Sequence, residues 1–316
     1  MDKLDAMQTF VRVTEAGSFI AVANQLQVAR SAVTRQIASL ETLLGTKLIT
    51  RSTRSLTLTA AGAAYLEKCR VILNMVDAAE SSLNEEKTVP RGRIRLGLPL
   101  SYGLQELTPT LLEFAKAHPF IELVMDLSDQ RANLIEEGLD LSIRITSDLQ
   151  PRDIVRKLGE CRLLTLASPA YLKAHGELRH PNDLQRHECL IYSSDSTINT
   201  WPYREDKRRL QVAVRGRIVA NNGIALAEAA ARGMGIARQP DFIASPYLAR
   251  RKVRSILESF EAEPLGIYAV LPSNRYVPYR VRVLIDYLAQ RLAVNARTAP
   301  REKRRNYPST PAKHAL

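Results

Sequence analysis

Five polar residues near position 30 carry side chains suited to reading the edges of DNA bases. They are, in chain order, Arg30, Ser31, Thr34, Arg35 and Gln36. Arginine can donate two hydrogen bonds to the O6 and N7 atoms of guanine, and serine or threonine hydroxyls bind either bases or phosphates. A recognition helix enters the major groove with its N-terminal turns first. We therefore expect the first four side chains to face base edges and Gln36 to face the nearby backbone.

Two short amphipathic helices joined by a tight turn would position these side chains. Apolar residues recur at three- and four-residue steps in both stretches: Phe19, Val22, Ala23 and Leu26, then Val33, Ile37, Leu40 and Leu44. Ser18 follows Gly17 as a helix N-cap, and Gly45 ends the second helix. This layout predicts a helix-turn-helix at residues 18–38. The alternative is an ordinary helical hairpin with a solvated polar face.

A predicted wing follows the two helices at residues 48–59. The segment ends in alternating apolar and polar residues and carries Arg51 and Arg54 near its middle. Such a two-stranded wing can bring arginines to phosphates or to a minor groove. The alternative for one of these two arginines is that it holds the wing to the helices.

The N-terminal motifs resemble the head of a LysR-type transcriptional regulator. The matching residues are Leu4 to Phe10, Gly17 to Phe19, Ser31 to Ile37, Leu40, Glu41, Leu44, Gly45, Leu48, Arg51, Arg54 and Leu58 to Gly62. The resemblance implies that Thr34 and Arg35 occupy positions used for DNA contact. Arg30 departs from the glutamine often found there, a difference that bears on base preference and leaves DNA binding itself unchanged.

Residues 60–87 predict a long linker helix. The apolar residues Leu66, Cys69, Leu73, Val76 and Leu83 fit the seam of a short coiled coil. A core helix of a single domain would show a similar stripe. The resemblance implies that this helix pairs two heads, so that a homodimer or tetramer reads an inverted repeat in double-stranded DNA.

Strands alternate with helices after the hinge at residues 87–92, which predicts a parallel sheet in each of two α/β blocks. The predicted strands are 94–98, 121–127, 139–145, 162–167, 210–219, 234–237 and 265–271. The predicted helices are 103–117, 131–137, 169–174, 223–232 and 278–292. The blocks resemble the two lobes of a type 2 periplasmic-binding-protein-like effector domain.

The predicted fold class is therefore α/β overall, with an all-α winged helix-turn-helix at 1–59 and a linker helix at 60–87. A two-lobed effector domain follows at 91–294, and a basic tail at 295–316 is expected to be disordered. Lobe I spans about 91–161 and 265–294, and lobe II spans about 162–264. The chain is expected to cross between the lobes near Cys161 and Pro264.

A ligand of such a domain is expected between the lobes, near the carboxyl ends of strands and the N-termini of helices. The candidate effector-binding residues are Ser101, Tyr102, Ser128, Arg144, Ser168 and Asn221. Arg144 and the helix N-termini would favour a small anion such as a carboxylate. The alternative is that the hydroxyls are helix caps and Arg144 forms a structural ion pair.

The net charge of +12 is compatible with nucleic-acid binding, but much of it lies outside the head. Residues 1–59 hold seven basic and four acidic side chains, a net charge of +3, and residues 296–316 hold six and one, a net charge of +5. The DNA-binding prediction therefore depends on the pattern of the head. The chain shows no apolar run long enough for a membrane span and no signal-peptide pattern, so we expect a cytoplasmic protein without disulfides or membrane contact.

The sequence predicts neither an enzyme nor a metal or other cofactor. His175, His180, His187 and Cys189 do not match a common zinc spacing. No phosphate loop, nucleophile elbow or HExxH helix is present. The leading hypothesis is a bacterial transcription regulator whose effector alters access of RNA polymerase. A two-lobed solute binder and an enzyme acting in the interlobe cleft are the two rival hypotheses.

Overall fold

The computed structural model describes residues 2–51, 56–82, 89–130, 134, 137–150, 153–193, 200–206, 208–272 and 277–298. The tip of the predicted wing, most of the predicted helix at 131–137 and residues 299–316 of the predicted tail lie outside this part of the chain. Within it, no helix combines the length and apolar character needed to cross a membrane.

The head has three helices and a two-stranded wing, as predicted. These elements are α1 (Lys3–Ala16), α2 (Phe19–Leu26), α3 (Arg30–Leu44), β1 (Ile49–Arg51) and β2 (Leu56–Leu58). Ser18 caps α2 by accepting a hydrogen bond from the Ala21 N–H, and Gly45 ends α3 with a positive φ of 65°. Phe10, Val22 and Ile37 are buried in one core that the three helices share.

The linker helix α4 (Ala60–Ser82) begins where the wing ends. Gly62 lies so close to β1 that an added Cβ would be 2.0 Å from the Leu48 carbonyl oxygen. The predicted coiled-coil seam needs a correction, because Leu66 and Cys69 are buried in the core of the head and Leu73 packs against it. Residue 83 lies outside the described part.

Beyond α4, the chain forms two α/β lobes. Their elements are β3 (Gly92–Leu98), α5 (Leu100–Tyr102), a π-helical turn (Gly103–Leu107), α6 (Thr108–Ala117), β4 (Ile121–Leu127), β5 (Leu141–Thr146), β6 (Ile154–Cys161), β7 (Leu163–Ala167), α7 (Pro169–His175), a 3-10 helix (Pro181–Arg186), β8 (Cys189–Tyr192), β9 (Thr200–Glu205), β10 (Arg208–Ala213), β11 (Ile218–Ala220), α8 (Gly223–Ala231), β12 (Ile236–Pro240), α9 (Asp241–Ala249), β13 (Arg254–Ile256), a 3-10 helix (Glu258–Phe260), β14 (Leu265–Leu271) and α10 (Tyr279–Thr298).

Each lobe is built on a five-stranded mixed sheet, and the prediction of parallel sheets was therefore wrong in part. The first sheet has the order β4-β3-β5-β14-β6, with β14 antiparallel to both neighbours. The second has the order β11-β8-β12-β7-β13, with β7 antiparallel to both neighbours. In each sheet the reversed strand is the one that directly follows a crossing between the lobes, β7 after the first crossing and β14 after the second.

Several elements of the lobes were not predicted from the sequence. Strand β6 lies at the edge of its sheet and is mostly exposed, with the charged residues Arg156, Lys157 and Glu160 outside and only Leu158 and Cys161 buried. Strand β12 begins two residues later than predicted because Gly233 and Gly235 both adopt positive φ in the preceding turn. Helix α10 continues to residue 298, beyond the predicted boundary of the lobe.

The linker helix is attached to the first lobe by polar contacts. The Asn74 side chain donates to Asp140 Oδ1 at 2.8 Å and accepts from Arg280 Nη2 at 2.7 Å. In addition, Arg93 Nη1 lies 2.6 Å from the carboxylate of Glu15 in α1. These contacts join the head, α4 and the first lobe.

Candidate functional site

The outer face of α3 presents most of the predicted DNA-contacting side chains. Arg30, Ser31 and Arg35 are exposed, and Thr34 is half-buried. The opposite face of the helix is buried in the head through Val33, Ile37 and Leu40. The N-cap residue Ala29 provides no side-chain cap. In the first turn the Ala32 N–H donates to the Ala29 carbonyl oxygen at 2.9 Å, so only the N–H groups of Arg30 and Ser31 are left for an anion there.

Gln36 is held by the first helix. Its Nε2 donates to Asp5 Oδ2 at 2.6 Å, and its Oε1 accepts from the Thr9 hydroxyl at 3.0 Å. These two hydrogen bonds fix the orientation of α3 against α1. The amide therefore positions the recognition helix in this structure, and the predicted contact with the DNA backbone would require it to exchange partners.

Glu41 anchors the wing to α3, a role that sequence reasoning did not assign. Its Oε1 accepts from the Leu48 and Ile49 N–H groups at 3.0 and 3.2 Å, and its Oε2 lies 2.6 Å from Lys47 Nζ. Burial raises the pKa of Glu41, but these hydrogen bonds outweigh it and hold the pKa below its usual value. Arg51 ends β1, while its side chain and the whole of Arg54 lie outside the described residues.

A cleft of about 850 Å³ separates the two lobes. This size falls within the range of about 300–1,000 Å³ that is usual for small-molecule sites. Four of the six predicted effector-binding residues line the cleft, all from the first lobe: Ser101, Tyr102, Ser128 and Arg144. The Tyr102 ring meets Phe242 of the second lobe edge-on, with 5.0 Å between ring centroids.

Ser168 and Asn221 do not line the cleft, and these two predictions need correction. The hydroxyl of Ser168 caps α7 by accepting from the Tyr171 N–H, and only 3% of the residue is exposed. Asn221 is exposed, and its neighbour Asn222 occupies the N-cap of α8. Spacing from the strand end alone did not distinguish these neighbouring positions.

Asn222 connects the two lobes at one end of the cleft. Its Nδ2 lies 3.4 Å from Ser101 Oγ and 3.4 Å from Asp129 Oδ2. Asp129 also accepts a hydrogen bond from the Leu100 N–H at 3.0 Å. A polar contact therefore bridges the lobes where the predicted ligand residues were expected.

Arg144 is placed near an acidic partner. Its Nη1 lies 3.9 Å from Asp153 Oδ2, and both side chains are largely buried. The structural ion pair considered as the alternative role of Arg144 is therefore present, although the residue also lines the cleft.

Arg238 and Gln239 line the opposite wall and were missed by sequence reasoning. Both lie at the carboxyl end of β12, and the Arg238 guanidinium stacks over the Tyr203 ring at 5.2 Å from its centroid. Arg238 Nε and Gln239 Nε2 are buried without a hydrogen-bond partner in the described part of the protein. The available sequence signal was the placement of two polar residues inside a short apolar strand.

The histidines near position 180 have structural contacts. His175 stacks on the Tyr171 ring, and His187 Nδ1 lies 3.3 Å from the Tyr171 hydroxyl. His180 caps the 3-10 helix that follows it by accepting from the Asn182 N–H. Among the described residues, no group of three or more potential ligands is arranged to hold a metal ion.

Comparison with known proteins identifies both parts of the chain. Residues 4–63 match the bacterial regulatory helix-turn-helix protein, lysR family, and residues 87–293 match the LysR substrate binding domain. An HTH-type transcriptional regulator of Xanthomonas campestris pv. campestris is 34% identical over 291 residues, covering 91% of this chain and 85% of the relative. The regulator PtxR of Pseudomonas aeruginosa is 32% identical over 292 residues, covering 92% and 93%.

Solved structures agree with these matches. The LysR-type regulator CrgA from Neisseria meningitidis has a TM-score of 0.58 at 30% identity, with 91% of this chain and 98% of that chain covered. The full-length virulence activator AphB from Vibrio cholerae has a TM-score of 0.54 at 26% identity, with 91% and 98% covered. Because both family matches and the full-length relatives coincide with the winged head and the two-lobed region, this chain belongs to the LysR family of DNA-binding transcriptional regulators, which are not enzymes.

Proposed function

We propose that α3 reads a DNA sequence through Arg30, Ser31, Thr34 and Arg35. The observation that carries this proposal is the division of α3 into a buried apolar face and a free face with two exposed arginines. Arginine fits guanine in the major groove, and the uncapped N-terminus of α3 suits a phosphate. Arg51 and Arg54 of the wing are assigned to phosphate or minor-groove contacts, and Gln36 to the backbone once it leaves α1.

The proposed effector is a small anion, such as a carboxylate, bound between the lobes. Ser101, Tyr102, Ser128 and Arg144 provide hydroxyl and guanidinium donors on the first wall of the cleft. The cleft volume fits a ligand of metabolite size. Effector binding changes the angle between the two lobes or the way in which the protomers assemble. Either change alters access of RNA polymerase to a promoter. This activity is assigned to the cytoplasm.

The proposed working unit is a homodimer, or a pair of dimers, joined through α4. Ile72 and Met75 each remain 37% exposed and lie three residues apart on that helix. This free stripe replaces the predicted seam at Leu66 and Cys69, which packs on the head. Two heads related by a twofold axis would read the two halves of an inverted repeat.

The test is a footprint of the full-length protein on the DNA upstream of its own gene at two salt concentrations. Protection of an inverted repeat that weakens steeply with salt is expected, because phosphate contacts release counterions. Arg35→Ala should weaken specific binding by about ten- to a hundredfold, equivalent to about 1–3 kcal/mol. The matched control is Arg12→Ala, which removes an exposed arginine from α1.

Two outcomes would count against this proposal. Equal binding by Arg35→Ala and the parent protein would overturn the assignment of α3 as the recognition helix. Protection of a single half-site in place of an inverted repeat would count against the proposed reading of DNA by two paired heads.

A further inference from the structure

Two residues of the second lobe that line the cleft each carry a buried donor nitrogen without a partner among the described residues. Gln239 is only 1% exposed, and its Nε2 has no partner in the described part of the protein. Its amide lies against Gly223, where an added Cβ would be 2.4 Å from Gln239 Oε1. Arg238 has a buried Nε that is likewise unsatisfied. Buried donors without acceptors are costly, so a side-chain movement that brings either nitrogen to a ligand oxygen would be favoured.

Arg238 supplies positive charge to the same wall of the cleft, from the opposite face of β12. The Glu261 carboxylate favours its charged form, but no ion pair within 4.0 Å joins Arg238 to a described residue, whereas Arg144 on the facing wall has Asp153 at 3.9 Å. The tyrosine face beneath Arg238 orients the guanidinium plane and leaves its in-plane donors for other partners. Of the two arginines that line the cleft, Arg238 is thus the one better placed to receive an anion.

The walls of the cleft differ in charge. The acidic residues that line it all come from the first lobe: Asp126, Asp129, Glu137, Asp148 and Asp153. The described lining residues of the second lobe include no aspartate or glutamate. A carboxylate is therefore favoured near Arg238, and the first wall, whose acidic residues outnumber Arg144, disfavours a second carboxylate while its hydroxyl groups remain free to contact the rest of the effector.

Building on the proposed effector-controlled function, we infer that the effector is a monocarboxylate with an apolar body. Its carboxylate binds Arg238 on the second wall, and a second carboxylate is disfavoured by the acidic residues of the first wall. The apolar body lies between the lobes against side chains that include Tyr102, Phe242 and Trp201. The cleft thus binds the carboxylate at one end of the effector and disfavours a second negative charge at the other end.

The experiment compares matched small acids on the full-length protein by isothermal titration calorimetry. The probes are benzoate, terephthalate and benzamide, and hexanoate, adipate and hexanamide. At least one monocarboxylate should bind, at least tenfold more tightly than its dicarboxylate and its amide. Arg238→Met should weaken that binding at least tenfold. Arg232→Met, which removes an exposed arginine from the same lobe, should leave it unchanged.

A second variant keeps the test decisive if the buried substitution unfolds the lobe. Asp148→Asn changes an exposed side chain of the acidic wall and should raise dicarboxylate affinity relative to monocarboxylate affinity. Dicarboxylates that bind as tightly as their monocarboxylate counterparts would overturn the inference. So would the absence of binding by both monocarboxylates, or unchanged binding by a folded Arg238→Met protein. An intact DNA footprint in those cases would show that the proposed regulatory function survives.

Discussion

Arg162 and Glu261 tie together the two chain crossings between the lobes. The guanidinium Nη2 lies 2.7 Å from Glu261 Oε2 and 2.8 Å from Oε1, while Nε lies 2.9 Å from Oε2. Arg162 stands between β6 and β7, and Glu261 stands just before the return to β14. This bidentate ion pair therefore lies at the hinge about which the two lobes would turn.

Replacing Arg162 with methionine should loosen this hinge. The pair is partly exposed, so we expect the free energy of unfolding to fall by about 1–2 kcal/mol, near the lower end for hydrogen bonds to charged groups. The distribution of interlobe angles should widen. Urea unfolding would measure the first effect and small-angle scattering the second.

The matched control for this hinge variant is Arg254→Met. Arg254 pairs with Glu177 at the surface, where both side chains are more than half exposed. Its loss should change the free energy of unfolding by less than about 0.5 kcal/mol. An equal effect of the two substitutions would mean that the Arg162 contact has no special role at the crossings.

Glu41 should make the stability of the head depend on acidity. Its pKa is lower in the folded protein than in the unfolded chain, so the folded state holds the ionised form more favourably. The resulting stabilisation is present above the unfolded pKa of 4.5 and is lost as the pH falls through the lower folded value. Glu41→Gln should reduce the free energy of unfolding at neutral pH, by about 1–3 kcal/mol for loss of a charged hydrogen-bond acceptor.

Chemical unfolding from pH 7 to pH 3 would compare the free energy of unfolding of Glu41→Gln with that of the parent protein. The difference between the two free energies should shrink below about pH 4.5, since Glu41 then takes up a proton and loses its advantage over glutamine. A difference in the free energy of unfolding that stays constant from pH 7 to pH 3 would contradict the stabilising role of the Glu41 charge. Glu67→Gln provides a control carboxylate on α4.

Aspartate at Ile72 or Met75 should weaken self-association through α4. A charge placed on a stripe that pairs with a second copy loses its hydration, so at least a tenfold weaker dimer is expected, about 1.4 kcal/mol. Sedimentation velocity over a dilution series would measure the change. Leu43→Asp introduces the same charge at an exposed apolar position of α3 and should leave association unchanged.

The elements of the head could be predicted because their boundaries are encoded locally. Gly17 adopts a positive φ of 62°, and Ser18 caps the next helix, both within a few residues of the turn they form. The partner against which an apolar stripe packs is not encoded locally. Periodicity predicted an apolar face at Leu66 and Cys69, but it could not distinguish a partner helix from α1 and α3 of the same head.

The cleft shows a similar limit. Ser101 was found because it follows a predicted strand of the first lobe, and Arg144 because it lies at the end of another. Arg238 and Gln239 acquire their position only when β12 is placed between β8 and β7, so that its carboxyl end reaches the facing wall. Residues brought together by long-range strand pairing leave little trace in a single sequence.

The contacts of Asn74 and Glu15 with the first lobe have a mechanical consequence. They hold the head, α4 and the first lobe together, so we expect these three parts to move as one body. The second lobe is joined to this body by the two chain crossings and by contacts of Asn222 and Phe242 with the first lobe. A turn of the second lobe is therefore expected to break those contacts, whereas a rotation of the first lobe is expected to carry the head with it.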